Sequence, residues 1–287
     1  MLLVLSAGSV ADPLRARLRQ AGFVWQERLD DAVRVLRALT LRGVRPAAQA
    51  AAEPVAGAVA DLLAALPEGT LTASQARSLV AAAGVAVAEE AVVHDAETAA
   101  DAAARLGWPV VLKALVRDLS HKSDQGGVRL DLRDSDAVRA TAAGFRARFG
   151  ADLEAVLVQR QIAGVAELIV GTVWDDALGP FVLVGAGGIF AELFDDTRIA
   201  PAPVAATEAA ALVAGLRLWP VLQGARGRPP ADLAAAVNAI VAVGHLAAAL
   251  GPRLAELDIN PLILGSEGAV AVDVRTRLGH APQGEAA

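Results

Sequence analysis

Lys113 stands in the middle of an apolar run at residues 109–115, PVVLKAL, that reads as a buried strand. His121, Lys122 and Ser123 follow in a polar loop, which closes on Gly126-Gly127 before an alternating strand begins at Val128. Lysine supplies a compact positive charge, and paired glycines let backbone N–H groups come close to an anion. The stretch therefore suits the grip of a polyphosphate. Plainer roles fit the same residues: a lysine can snorkel from an edge strand, and a loop histidine needs no task.

A second group lies in AELDINPLIL. Glu256, Asp258 and Asn260 are spaced i, i+2, i+4, which puts three oxygen-bearing side chains on one strand face and Leu257 and Ile259 on the other. Across a turn at 265–268, the strand AVAVDVR carries Asp273, and an unpaired carboxylate buried in such a strand would be costly. Oxygen ligands on adjacent strands, without clustered His or Cys, suit Mg²⁺ carrying nucleotide phosphates. A solvated hairpin face would show the same alternation. Gly187-Gly188 interrupts the run FVLVGAGGIFAELF as a turn or bulge, and Glu192 is an isolated carboxylate in its apolar continuation that needs a cationic or metal partner. GAGG and GARG lack the spacing and strand–helix context of a dinucleotide fingerprint, and no Walker A pattern occurs.

The elements that would position these groups are mixed. Residues 1–43 read as two strand–helix units, with strands at 2–5 and 23–26 and helices at 14–21 and 30–42, the latter with Leu29, Val33, Leu36 and Leu39 at helical spacing. Two strands make no independent parallel sheet, so this piece resembles the end of a larger domain. Residues 44–70 form an Ala- and Pro-rich linker with one helix near 55–66. From Thr72, whose TASQ sequence fits a capping box, strands and helices alternate as a small α+β lobe to about residue 160. Ser135 is the expected cap of the helix at 136–149. A second lobe follows with helices at 208–216 and 232–250 and a terminal hairpin; the last ten residues read as disordered.

Composition bounds the function. With 26 Lys+Arg against 32 Asp+Glu the net charge is −6, and aromatics are 3%, so neither a basic nucleic-acid surface nor aromatic base stacking is expected. The absence of cysteine excludes disulfides and thiolate chemistry. No run of about 18 apolar residues free of charges and glycines is present. The opening MLLVLSAGSVADP lacks the basic start and apolar length of a signal peptide. A soluble, cytoplasmic protein is the expectation.

The ordered motifs PVVLKA, HKSDQGGV, ELIVG, LGPFVLVGAGGIFAELFDDTRIAP, GARGRPP and ELDINPL…AVDVR resemble the ATP-grasp module of the ADP-forming acyl-CoA synthetases, relatives of succinyl-CoA synthetase. The resemblance runs over roughly residues 71–277 and implies an ATP-grasp fold of two α+β lobes, divided at 71–162 and 163–277. Ahead of it stands a short α/β remnant of a flavodoxin-like CoA-ligase domain (1–43), then the linker 44–70; a disordered tail follows (278–287).

By that resemblance Lys113 holds ATP phosphates, and Gly126, Gly127 and Val128 form the flap over them with Lys122. Gln159, Arg160, Gln161 and Ile162 are the hinge near adenine, and Asn260 and Asp273 ligate Mg²⁺. Glu192 supports the nucleotide site, and Arg275 sits beside the phosphates. The implied reaction is acid + CoA + ATP ⇌ acyl-CoA + ADP + phosphate. Phosphate is relayed through a phosphohistidine on a CoA-binding α-type partner, and His121 occupies the position of a receiving histidine. The implied assembly is a hetero- or homo-oligomer acting on a small carboxylic acid.

Two departures stand out. The family's CoA-binding and phosphohistidine domains are not matched, so the chain is not expected to make acyl-CoA alone. A common DP-x-FGP pattern reads Asp175-Asp176-Ala177-Leu178-Gly179-Pro180. Two rival readings keep the nucleotide site: a stand-alone ligase forming an acyl phosphate for another nucleophile, and a non-catalytic nucleotide-binding module.

Overall fold

The computed structural model describes residues 2–4, 17, 24–26, 33, 62–63, 65–116, 126–176, 178–188, 196–227 and 229–279. These belong to two units, one of Val87–Ala163 and one of Met1–Ala86 with Gly164–Ala287. Residues 71–86 thus group with the C-terminal part of the chain and not with the four-stranded unit.

At the start, β1 (Leu2–Val4) and β2 (Val24–Gln26) pair in parallel, Leu2 opposite Val24. Of the two helices expected around them only Arg17 and Val33 are described; both are helical, and Val33 is exposed although its spacing placed it on an apolar stripe. Next come β3 (Gly69–Thr70) and α1 (Ala73–Ala82). Thr72 caps α1: its hydroxyl accepts from Gln75 N–H at 3.3 Å, while the Gln75 side chain accepts from Thr72 N–H at 2.9 Å.

The smaller unit runs β4 (Glu90–Val93), α2 (Ala96–Leu106), β5 (Val110–Val116), β6 (Val128–Leu132), α3 (Ser135–Phe149) and β7 (Leu153–Arg160). Its four strands are antiparallel in the order β4-β7-β5-β6. Asp95 and Asp134 cap the two helices by accepting from Thr98 and Ala137 N–H, each at 2.8 Å. The cap of α3 is therefore Asp134 rather than Ser135. Both residue types serve, and the carboxylate one position earlier takes the N3 amide. α2 and α3 lie side by side on one sheet face, burying Ala99, Ala103, Val138 and Phe145 against Val110, Leu112, Ala114, Val156 and Val158.

The larger unit continues through β8 (Ala166–Asp175), β9 (Gly179–Ala186), β10 (Thr197–Pro201), α4 (Ala206–Ala214), α5 (Trp219–Leu222), α6 (Leu233–Leu250), β11 (Leu254–Leu264), β12 (Ala269–Ala271) and β13 (Val274–Leu278). Its sheet is seven-stranded, in the order β10-β9-β8-β11-β13-β3 with β12 also on β11. α6 packs its buried face (Ala236, Ile240, Val243, Ala247) on β8, β9 and β11. By length and composition α6 is apolar enough to cross a membrane, yet that face belongs to this core. β10 has no apolar signature and was not expected. Its neighbour Asp196 is buried, ion-pairs with Arg198 at 3.0 Å and accepts from Arg217 N–H, tying the strand to the segment after α4.

Candidate functional site

In the smaller unit, alternation along β5 decides where Lys113 points. Leu112 and Ala114 are fully buried under the helices, so Lys113 takes the other face, half-buried, opposite Leu157 on β7 and Val128 on β6. The Gly126-Gly127 turn is fastened to the same strand, because Ala114 N–H donates to the Gly127 carbonyl at 2.7 Å. Gly126 has φ +67, a left-handed conformation that favours glycine. Lys113, Gly126, Gly127 and Val128 are thus brought together by backbone pairing.

Gln159 shares the face of Lys113, one alternate position along β7, and is opposite Val111 and Glu90. Its side-chain N–H donates to the Glu90 carboxylate at 2.9 Å. Glu90 was not foreseen, since a lone acid at a strand start carries no spacing signal. Arg160 is opposite Val110 and so takes the helix side, away from Lys113. The side chain of Gln161 is engaged in structure, accepting from Asp131 N–H at 2.7 Å, while its own N–H donates to the Pro109 carbonyl at 3.0 Å. Ile162 is half-buried in the segment that follows.

In the larger unit the expected alternation on β11 is present. Leu257 and Ile259 are buried, and Glu256, Asp258 and Asn260 take the opposite face. Asp273 does not sit inside an apolar strand. The ladder stops after Ala271 and resumes at Val274, and Asp273 is exposed in the gap. On the other side of β11 the pairing with β8 also slips, between Ile259 and Leu262. Pro261 accounts for the position of the slip, because it has no N–H to give a ladder.

Across the gap Asn260 N–H donates to the Asp273 carbonyl and Val272 N–H to the Pro261 carbonyl, both at 3.0 Å. Paired irregularities of this kind re-aim side chains, and here the backbone bond sets Asn260 of β11 beside Asp273 in the gap. The hairpin is anchored from below: Asp232, the cap of α6, accepts from Ala235 N–H and from Gly268 N–H, each at 2.9 Å.

Charge around this break is uneven. Arg275 pairs in register with Asp258, and Arg277 with Glu256 at 4.0 Å. Burial pushes the Asp258 carboxyl above the usual range. The charges of Glu256 and Asp273 add to that rise, and Arg275 opposes it.

Glu167 shares the sheet face of Asp258 through Gly171, which is opposite Asp258. Its carboxylate lies over the second glycine pair: a Cβ on Gly188 would come 2.7 Å from Glu167 Oε2, and one on Gly187 would come 3.0 Å from the Glu167 carbonyl carbon. The GAGG sequence therefore makes room for Glu167. A glutamate opening the strand ELIVG, with a glycine pair downstream, was the available signal. His121, Lys122 and Glu192 lie outside the described residues.

The donor set at Asn260 and Asp273 is oxygen only, as magnesium prefers. Among the described residues no group of three His, Cys, Asp or Glu side chains gathers to hold a metal alone. Two protein ligands would leave positions for phosphate oxygens and water, which is how magnesium is commonly bound in nucleotide sites.

Comparison with known proteins identifies the family and the fold. A family model described as ATP-grasp domain matches residues 33–278. The β subunit of acetate–CoA ligase [ADP-forming] I from Pyrococcus furiosus is 34% identical over 71% of this chain and 90% of that subunit. Acetate–CoA ligase [ADP-forming] I from Archaeoglobus fulgidus is 34% identical over 74% of this chain but only 31% of that longer protein. Among solved structures, acetyl-coenzyme A synthetase 1 of Ca. Korarchaeum cryptofilum, in complex with coenzyme A and Ca-AMPCP, matches with a TM-score of 0.67 and 31% identity. The match covers 74% of this chain and 94% of that one. The chain belongs to the ATP-grasp family and has the fold of the β-type, nucleotide-binding part of the ADP-forming acyl-CoA ligases.

Proposed function

We propose that the chain is the β-type component of an ADP-forming acyl-CoA ligase, catalysing acid + CoA + ATP ⇌ acyl-CoA + ADP + phosphate together with a separate CoA-binding subunit. The observation that carries this reading is the 34% identity to a β subunit across 90% of its length. In the smaller unit, Lys113 would neutralise phosphate oxygens, and Gly126, Gly127 and Val128 would cover them with backbone N–H groups, helped by Lys122. Residues 159–162 would receive the adenine through backbone groups, since the side chains of Gln159 and Gln161 are already engaged.

In the larger unit, Asn260 and Asp273 would hold magnesium. When bound, the ion would offset charge on the transferring phosphoryl group. Arg275 would act beside the phosphates, and Glu192 would give polar support. His121 would receive the γ-phosphoryl: its neutral imidazole nitrogen forms the P–N bond as the P–O bond to ADP breaks, and the phosphoryl then passes to the partner's phosphohistidine segment. A partner subunit would supply most of the CoA site, and the assembly would work in the cytoplasm.

The test is reconstitution. With γ-labelled ATP, magnesium, an acid, CoA and the CoA-binding subunit, ADP and acyl-CoA form together, and His121→Ala removes transferable label. Hydroxamate formation with hydroxylamine and no partner would replace this reading with a stand-alone acyl-phosphate ligase. Nucleotide binding without turnover in any mixture would make the chain a binding module.

A further inference from the structure

The helix side of the smaller unit carries a groove that meets the nucleotide reading only at Gly126. It has a volume of about 610 Å³ and lies where α3 runs along the edge strand β6. Gly126, Arg129, Ala140, Thr141, Gly144 and Arg148 line it, and among the described residues no carboxylate does. Its location follows from a bulge. Arg129 is opposite Leu112 and Leu132 is opposite Val110, so residues three apart share the helix side. The left-handed Asp131 (φ 58) between them takes up the extra residue, and Gln161 braces it by accepting from Asp131 N–H at 2.7 Å. Arg129 therefore sits on the face opposite Lys113.

The two arginines differ from their neighbours. Arg133 pairs with Asp131, Arg139 pairs with Glu97 and Asp136, and Arg146 donates to the carbonyls of Leu153 and His94. Neither Arg129 nor Arg148 has a carboxylate partner among the described residues. Arg148 is held in place all the same. Its guanidinium lies over Gly126, where a Cβ would come 3.2 Å from Nη1, and it sits 5.8 Å from the Phe149 ring centroid. Between the arginines the floor is small: a Cβ on Gly144 would meet nothing within 4 Å. Two guanidinium groups without a carboxylate partner among the described residues, the Thr141 hydroxyl and cleared space form a donor-rich site of small-molecule size.

We propose that this groove is a second anion site that takes a phosphate dianion, either free or as the end group of a small phosphorylated molecule. It does not rest on the nucleotide reading, because its two arginines and Thr141 lie on the helix side, the other face of the sheet from Lys113. Through Arg148 its occupancy is felt at Gly126, where the glycine turn begins.

Equilibrium dialysis of the full chain carrying Lys113→Ala, with labelled orthophosphate, tests it. Saturable binding is expected, weakened at least tenfold by Arg129→Gln with Arg148→Gln and partly kept by the lysine versions. Gly144→Leu, which fills the floor and is favourable in a helix, is expected to block binding while the melting curve stays intact. ADP binding that needs both arginines, with none of orthophosphate, would make a nucleotide tail the source of the dianion. Orthophosphate binding unchanged in the double variant, no saturable binding of either ligand, or equal binding of adenosine would overturn the proposal.

Discussion

In the smaller unit Lys113 reaches its face by plain alternation along a strand in regular register with β7, whereas in the larger unit Asn260 and Asp273 stand where the ladders on both sides of β11 break. A single cation needs only the correct parity in an otherwise apolar strand. A metal pair needs two side chains from different strands aimed together, and regular pleating does not converge them. The first arrangement is robust to what surrounds it and sensitive to register. The second depends on Pro261 and on the two backbone bonds across the gap.

The largest effect should come from moving the cation by one residue. Leu112 is completely buried among the helix-side core residues. Leu112→Lys puts an unpaired ammonium there and is expected to cost about 4 kcal/mol or more, read as a large fall in the urea midpoint. Lys113→Leu, one position away, is expected to leave that midpoint close to wild type, which would establish parity as the whole of the positional requirement. Equal damage from both would show that β5 is not organised by alternation.

Next in size are the changes to binding. Lys113→Leu and Asp273→Asn should each weaken Mg-ATP binding by roughly 10–100-fold, the scale of one lost charge-assisted interaction. Asp273→Asn keeps the backbone carbonyl that receives Asn260 N–H, so the break in the ladder persists and only the carboxylate is lost. Calorimetric titration with and without magnesium separates the two: the Asp273 variant should lose the metal dependence, the Lys113 variant should retain it. Unchanged affinity in both would sink the assignment of these residues.

Much of this was legible in residue types and order. The i, i+2, i+4 oxygen-bearing side chains, the lysine in an apolar run and the Thr72 cap follow from periodicity and short-range hydrogen bonding, which sequence exposes directly. The gap at Asp273 was not legible, because AVAVDVR reads as one strand by residue type and the break shows only in its pairing with β11. Nor was the cause of the second glycine pair, since Glu167 lies twenty residues upstream by number and meets Gly187 only across β8 and β9. β10 was missed for a related reason. Its place is set by buried Asp196 and the ladder with β9, not by apolar residues.

The glycines turn that difference into a graded test. A Cβ on Gly187 would press on the Glu167 backbone, which cannot yield as a side-chain tip can, so Gly187→Ala should cost roughly 1–3 kcal/mol in the larger unit. Gly144→Ala in the smaller unit meets open space within α3 and should gain up to about 1 kcal/mol. Thermal melts of the two variants should therefore move in opposite directions; a stabilised Gly187→Ala would mean that Glu167 does not need the space.

The smallest effect concerns Asp258, the acid beside Asn260 and Asp273. Its folded-state carboxyl lies above the ordinary value of 3.8, first because it is buried and then because Glu256 and Asp273 are near; Arg275 only partly compensates. A raised carboxyl resists ionisation in the folded chain while the unfolded chain ionises normally, so stability falls as pH rises from about 3.8 to the folded value and is level above it. Asp258→Asn removes that fall. It should stabilise the chain near neutral pH by less than about 1 kcal/mol after allowance for solvent screening, and leave acid stability almost unchanged. Urea midpoints measured from acid to neutral pH should show wild type and variant converging at the acid end. A variant less stable than wild type near neutral pH would instead mean that the attraction of Arg275 outweighs burial and the neighbouring acids.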